Sequence, residues 1–281
     1  MNDRILIVGK GFIGSRLRGL LQCESTSSKI HSLAEARKLL KRHNPLVLIN
    51  CIGFTGQKNV DGCELDKDKA LFLNSYIPLI LAEACLRAKV KMVHISSGCI
   101  YHYDYDRDKP IQEERLPDFF ELYYSRTKIY AERALYILSQ TYNILIIRIR
   151  IPLDNQPHPR NILTKLIHTR EVINIPNSIT YIPDFIKAIQ HLLKIDARGI
   201  YNVVNRGSLQ YPELMDVYKR HNPKFNYEVI DYKKLNLVRT NLILSTRKLE
   251  KDGFKIRNIH EVLEECVREY VEYSLQAGPA S

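Results

Sequence analysis

Two tyrosine–lysine pairs at i, i+4 spacing are the groups in this sequence best suited to moving a proton: Tyr105 with Lys109, and Tyr124 with Lys128. On a helix that spacing stacks both side chains on one face, one turn apart. A tyrosine titrates near pH ~10, and an ammonium beside it favours the phenolate, so the pair can exchange a proton with a carbonyl or alcohol oxygen. Tyr105–Lys109 lies in YDRDKP, a polar stretch ending in proline, which will not hold a helix. Tyr124–Lys128 lies in YYSRTKIYAERALYILSQ, the strongest helical pattern of the chain. Ser97, at the end of the preceding apolar run, is placed to hydrogen-bond the same oxygen. Two residues further stands Cys99, which on composition alone reads as one more small buried residue.

The second chemical signature opens the chain. RILIV runs into Gly9-Lys10-Gly11-Phe12-Ile13-Gly14, and a helical pattern follows. Strand, GxGxxG and helix in that order form a dinucleotide fingerprint: the glycines permit a tight turn, and the helix start offers N–H groups to a pyrophosphate. An NAD-binder of this type carries an acid roughly 20 residues past the glycines. Glu35 falls near that distance, but it completes a capping box with Ser32. The segment STSSKIHS offers hydroxyls and Lys29 instead, and Arg16 lies in the first helix, partners suited to a 2′-phosphate. NADPH is therefore the expected cofactor.

These groups need a scaffold of strand ends. Apolar runs at RILIV (4–8), LVLIN (46–50), MVHIS (92–96) and NILIIRI (143–149) alternate with helical patterns, among them SLAEARKLLKR and a long segment from about 64 to 89. In that long segment Pro78 must sit near a helix start or a kink. Such alternation implies an α/β fold with a doubly wound parallel sheet. After Ile151 the texture turns polar and proline-rich in PLDNQPHPRN, then helical in IPDFIKAIQHLLK and strand-like in GIYNVV (199–204). PELMDVYKRHNP and the terminal IHEVLEECVREYVEYSL read as helices, FNYEVIDY as a strand, and QAGPAS as a frayed end. The expected division is a Rossmann domain over 1–152 plus about 182–204, and a small substrate-binding lobe over 153–181 and 205–281.

The bulk numbers exclude other classes. With 281 residues, 45% hydrophobic and 26% charged, the chain can bury a full core. No run approaches the ~18 apolar residues of a membrane span, since ILIIRIRI is cut by Arg148 and Arg150. MNDRILIVG lacks the layout of a signal peptide, so a cytoplasmic location is expected. The six cysteines are scattered without a CxxC or a His/Cys ladder, which argues against a disulfide framework and a metal site. The net charge of +11 is interleaved with acids, with no block of five Lys or Arg, so it suits phosphorylated small molecules rather than nucleic acid.

Taken together, FTGQKNVDGCE (54–64), SSGCIYHYD (96–104), YYSRTK (123–128), HPRNILTK (158–165), INIPNSIT (173–180) and GIYNVVN (199–205) resemble the extended short-chain dehydrogenase/reductases. Within them the chain is similar to the dTDP-4-dehydrorhamnose reductase branch, and most of all to the bifunctional nucleotide-rhamnose synthases of plants and large viruses. The glycine turn is one residue shorter than that family's usual GxxGxxG, and Ser97 stands where close relatives often have threonine. The resemblance implies a 4-keto-6-deoxy nucleotide sugar as substrate, UDP-linked by default, epimerised at C3 and C5 and then reduced at C4 with NADPH. It implies Ser97, Tyr124 and Lys128 as the reductase residues, Cys99 as epimerase base and Lys165 as partner acid. Arg160 and Asn161 would face the nucleotide sugar together with Ser97, Cys99 and Lys165. Asn74 falls on the cofactor side, and Asn50, Cys51, Ile52 and Gly53, where the second apolar run ends, are assigned there as well. A homodimer is expected, as is usual in the superfamily.

One base and one acid suffice for such an epimerisation, because the C4 carbonyl acidifies hydrogens on both neighbouring carbons. Three alternatives remain open on the sequence: a 4-reductase alone, an enzyme for a 2-acetamido-4-keto sugar, and a non-catalytic nucleotide-binding regulator.

Overall fold

The computed structural model describes residues 4–57, 59–235 and 238–276. Lys58, and QAGPAS apart from Gln276, lie outside the described residues. In chain order the first elements are β1 (Ile5–Val8), α1 (Phe12–Leu21), β2 (Glu24–Thr26), α2 (Leu33–His43), β3 (Val47–Asn50), α3 (Gly62–Leu65) and α4 (Lys67–Leu71). A π-helical turn (Phe72–Tyr76) leads into α5 (Ile77–Ala88), β4 (Lys91–Ser97), α6 (Tyr123–Ser139) and β5 (Ile144–Ile149). There follow β6 (Pro152–Leu153), α7 (Ile162–Thr169), β7 (Glu171–Ile173), β8 (Thr180–Tyr181), α8 (Ile182–Lys194) and β9 (Gly199–Asn202). The last are α9 (Tyr211–His221), β10 (Glu228–Ile230), α10 (Arg247–Lys251) and α11 (Ile259–Gln276).

The chain divides into two compact units. The first comprises Met1–Tyr101, Leu116–Arg148 and Gln190–Tyr201. Its sheet runs β2-β1-β3-β4-β5-β9, with β1 parallel to both β2 and β3, and β3 parallel to β4. Every residue of β1 and β4 is buried, which explains why these strands read as unbroken apolar runs rather than alternating ones. Leu6, Val8, Leu48 and Ile146 from the strands pack with Leu39 of α2 and Leu81 of α5. The sequence reading missed β2, because three residues of polar type at a sheet edge carry neither alternation nor an apolar run.

Ser32 caps α2 as its box requires, and Asn44 closes that helix in the left-handed conformation ahead of Pro45. Pro78 occupies the first turn of α5, directly after the π turn. The continuous helical run Lys67–Ala88 reaches the length and mean hydropathy of a membrane span by length and composition alone. Its apolar side is already occupied: Ile77, Leu81, Ala84 and Cys85 are buried in the core of this unit.

The second unit comprises His102–Arg115, Ile149–Ile189 and Asn202–Ser281. It contains two short parallel ladders, β7 with β10 and β6 with β8. Leu153, Tyr181, Leu214, Val262 and Val267 belong to its core. Arg257 ties Asp184 to Glu265 with bonds of 2.8 Å to each carboxylate.

Candidate active site

The glycine turn is fixed by contacts that leave no room for side chains. Gly9 has φ +104°, and a Cβ there would stand 2.9 Å from the Cys51 carbonyl carbon and the Ile52 nitrogen. A Cβ on Gly14 would meet the Gly9 carbonyl oxygen at 1.9 Å, so the helix start lies flat against the turn. Gly11 differs: it is the N-cap of α1, exposed, with nothing within 4 Å of an added Cβ. No side chain caps this helix and no acid occupies its first turn. A helix start so open presents its dipole and backbone N–H groups to an anion, which is what a dinucleotide pyrophosphate requires. Phe12 is buried behind the turn and Ile13 half-buried beside it.

β3 ends next to this turn. Asn50 is fully buried and shapes the strand end: its Oδ1 accepts the Ile52 N–H at 3.0 Å, and its amide lies 3.1 Å from His94 Nδ1. The Cys51 amide donates to the Val8 carbonyl at 2.8 Å. Gly53 is exposed, and a Cβ there would stand 3.5 Å from both Lys128 Nζ and Asn74 Oδ1. On the adenosine side, β2 ends in Thr26 rather than an acid, with Thr26 Oγ1 and Ser28 Oγ 2.7 Å apart. Glu35 is committed locally, its Oε2 accepting the His31 amide at 2.6 Å, a bond that holds its carboxyl below the ordinary range.

The tyrosine and lysine sit one turn apart on α6, both buried. Burial pushes the Lys128 ammonium down to about 8, against an opposing pull from Glu132 and from Cys51, Cys63 and Cys99. Asn74, carried by the π turn, ties this helix to the loop after β3. Its Oδ1 accepts the Phe54 N–H at 2.7 Å, while its Nδ2 donates to the Phe54 carbonyl at 2.9 Å and to Thr127 Oγ1 at 3.0 Å.

Ser97 is the last residue of β4, and Cys99 stands in the turn that follows. The Cys99 N–H donates to Ser97 Oγ at 3.1 Å, and Ser125 Oγ on α6 donates to the Cys99 carbonyl at 2.6 Å. Cys99 is half-buried, packed with Phe54 and Tyr123 against a small cluster of Cys63, Ala70 and Tyr124. Burial pushes the Cys51 and Cys63 thiols up to about 12 and about 11, which makes them poor nucleophiles. Below the site, Glu132 accepts from Ser96 Oγ at 2.7 Å and from Arg148 at 2.7 Å and 3.0 Å.

Lys165, Arg160 and Asn161 belong to the second unit. Asn161 is buried as the N-cap of α7. Its Oδ1 accepts from Leu163 and Asp154 N–H groups, and its Nδ2 donates to the Asp154 and Gln156 carbonyls. Asn161 therefore shapes the loop that presents Arg160. Lys165, half-buried on the first turn of α7, has its ammonium pushed down by burial and by Arg160. A lysine so placed parts with its proton more easily.

The structure thus gathers Ser97, Cys99, Tyr124, Lys128, Asn74 and Gly53 in the first unit. Sequence reasoning missed Ser125, Thr127 and Glu132, which hold these groups. Tyr105–Lys109 lies in a turn, outside any helix, as its proline implied.

A family model described as the RmlD substrate binding domain matches residues 3–220. The trifunctional UDP-glucose 4,6-dehydratase/UDP-4-keto-6-deoxy-D-glucose 3,5-epimerase/UDP-4-keto-L-rhamnose-reductase RHM2 of Arabidopsis thaliana is 29% identical over 276 residues. That match covers 92% of this chain, and the chain spans 41% of that relative's length. The bifunctional dTDP-4-dehydrorhamnose 3,5-epimerase/dTDP-4-dehydrorhamnose reductase of the same plant is 28% identical, with 92% of this chain and 90% of the relative covered. Among solved structures, the L780 UDP-rhamnose synthase of Acanthamoeba polyphaga mimivirus superposes with a TM-score of 0.88 at 22% identity, covering 95% of this chain and 99% of that one. The dTDP-4-dehydrorhamnose reductase of Bacillus anthracis, in complex with NADP, gives 0.81 at 19% identity, covering 98% and 100%.

Proposed function

Because this chain belongs to the RmlD substrate binding domain family, we propose that it is an NADPH-dependent 4-reductase of a 4-keto-6-deoxy nucleotide sugar in rhamnose synthesis, with 3,5-epimerase activity in the same site. The observation that carries this reading is the turn from Ser97 to Cys99. It holds a hydroxyl beside a thiol that packs against the buried Tyr124, locked by the Cys99 N–H to Ser97 bond and by Ser125. The bifunctional plant relative, matched over 90% of its length, supports the epimerase half.

The residues present suit NADPH: the open N-cap at Gly11, the strand end at Thr26 without an acid, and the space at Gly53 beside Lys128 Nζ. When bound, the cofactor supplies a hydride to C4 of the sugar. Tyr124 then gives its hydroxyl proton to the C4 oxygen, and the Lys128 ammonium makes good that proton and favours the phenolate meanwhile. Ser97 has its oxygen engaged by the Cys99 N–H, so its own hydrogen is left to donate to the C4 oxygen.

Before reduction, the Cys99 thiolate removes a proton from C3 or C5, and the electrons pass into the C4 carbonyl as an enolate. Ser97 and Tyr124 stabilise that oxyanion by hydrogen bonds. The acid implied for returning a proton to that carbon is Lys165, whose ammonium is pushed down by burial and by Arg160. The UDP-linked sugar is the substrate of first choice, since UDP sugars appear in the names of the trifunctional relative's activities.

The test combines two readings. NADPH oxidation with UDP- and dTDP-linked 4-keto-6-deoxyglucose, products identified by NMR, examines the reductase. Incorporation of deuterium at C3 and C5 from heavy water, with NADPH withheld, examines the epimerase. Reduction without exchange would leave a 4-reductase alone.

A further inference from the structure

Residues 54–57 and 59–64, on either side of Lys58, have no part in the chemistry above, yet Gly56 and Gly62 among them are held at close approach. Gly56 has φ +69°, and a Cβ there would stand 2.1 Å from the Asn59 carbonyl oxygen and 2.7 Å from the Gly62 Cα. These two glycines pack against each other where α3 begins at Gly62. That short helix turns Cys63 inward, where its S–H donates to the Phe54 carbonyl at 3.5 Å and its side chain joins the cluster around Tyr124. Glu64, the next residue, points the other way. Its Oε1 accepts the backbone N–H of Tyr123 at 2.6 Å.

Tyr123 is the first residue of α6, and the residue before it, Leu122, has no side chain that can cap. A helix begins with N–H groups that its own turns cannot satisfy. Here one of them is satisfied by a carboxylate from 59 residues earlier in the chain. Lys67 lies 3.7 Å from the Glu64 carboxylate and 5.6 Å from the centre of the Tyr123 ring, which steadies both partners. The negative charge also lies at the positive end of the α6 dipole.

We propose that Glu64 is a positioning residue for the reaction: by capping α6 from outside the helix, it fixes the first turn and with it the placement of Tyr124. Glu64 has no contact with reacting atoms in this account. It acts through Tyr123 and the helix start. The inference rests on the reductase reading for its kinetic part, whereas the cap itself is measurable without any substrate.

Amide hydrogen exchange of the full-length protein without ligand tests the cap. Glu64→Ala should speed exchange at Tyr123 by roughly fivefold, the scale of a lost helix cap, and Glu64→Gln, whose amide oxygen still accepts, should restore protection. Steady-state kinetics test the positioning. Glu64→Ala should lower kcat about tenfold with the KM for NADPH unchanged, as expected when a small misplacement affects only the reacting geometry. Glu64→Gln should recover most of that loss. In a Tyr124→Phe background, Glu64→Ala should have no further effect, whereas general damage to the fold would add. Unchanged exchange at Tyr123, an unchanged kcat, or additivity with Tyr124→Phe would each overturn the proposal. If the parent protein turns over no 4-keto nucleotide sugar, the reductase reading has failed, and the exchange experiment decides the cap by itself.

Discussion

The backbone N–H of Cys99 donates to the hydroxyl oxygen of Ser97 at 3.1 Å, so the proposed reductase donor and the proposed epimerase base are held by one turn. Ser97→Ala removes the hydrogen-bond donor to the C4 oxygen and also loosens the Cys99 turn. Both NADPH oxidation and deuterium exchange should fall by about 10²–10³, the cost of one lost oxyanion donor, while Ser97→Thr should keep most of both. Ser125→Ala, which frees only the Cys99 carbonyl, should depress exchange more than reduction. Equal losses in the two assays would argue against a separate hold on Cys99.

Lys128 sets a pH dependence of definite sign. Burial holds its ammonium near about 8, below the ordinary lysine value, so reduction by the free enzyme should decline above about 8 as the proton source is lost. Stability should move the other way. The folded protein sheds this proton before the unfolded chain does, so between about 8 and the ordinary lysine value the unfolded state binds more protons and stability rises with pH. Lys128→Met removes a buried charge of similar length. Its Tm at pH 7 should exceed the parent's by a few degrees while reduction is lost, and kcat/KM profiles with thermal melts across pH 6–10 check both signs.

The glycine turn separates two kinds of constraint. Gly14→Ala drives a methyl group into the Gly9 carbonyl oxygen and should lower Tm and abolish NADPH binding together. Gly11→Ala meets no protein atom within 4 Å and its φ of −71° suits any residue, so Tm should stay within about 2 °C. NADPH affinity should nevertheless fall at least about tenfold, the worth of a charge-assisted hydrogen bond, because the methyl group occupies the approach to the helix start. Fluorescence titration of NADPH against both variants distinguishes the cases.

Glu132 and Arg148 are 2% and 1% exposed, and their carboxylate and guanidinium pair at 2.7 Å. Glu132→Ala should cost about 3–5 kcal/mol, since it takes the paired carboxylate from a buried guanidinium, and urea denaturation at pH 7 measures it.

The parts of the site legible in the sequence are those with local signatures. GxGxxG between a strand and a helix specifies its own turn, and Tyr124–Lys128 falls on a helix whose periodicity runs for five turns. The expected capping box at Ser32 and Glu35 is seen in its forward bond, from the Glu35 N–H to Ser32 Oγ, while the Glu35 carboxylate accepts from the His31 N–H; both bonds are legible because their partners lie within four residues. The residues that hold the site in place have no such signature. Ser125 reads as an ordinary helix-surface serine until the turn at Cys99 is brought beside it. Arg148 interrupts an apolar run, and its carboxylate partner Glu132 lies 16 residues earlier, beyond any local pattern. The role assigned to Cys99 came from the resemblance, since a small thiol after a strand is otherwise indistinguishable from core.

The π turn at Phe72–Tyr76 closes a ring from the Ile77 N–H to the Phe72 carbonyl, one residue wider than an α-helical turn. Deleting a single residue there would let the helix heal into regular α geometry with both flanks in phase, and the bulge that carries Asn74 would be lost. Asn74 would swing off Phe54 and Thr127, while the apolar face of α5 kept its place. This stretch of chain can exchange side chains freely, but its length is locked: the count of residues, more than their identity, keeps the asparagine in phase with the site.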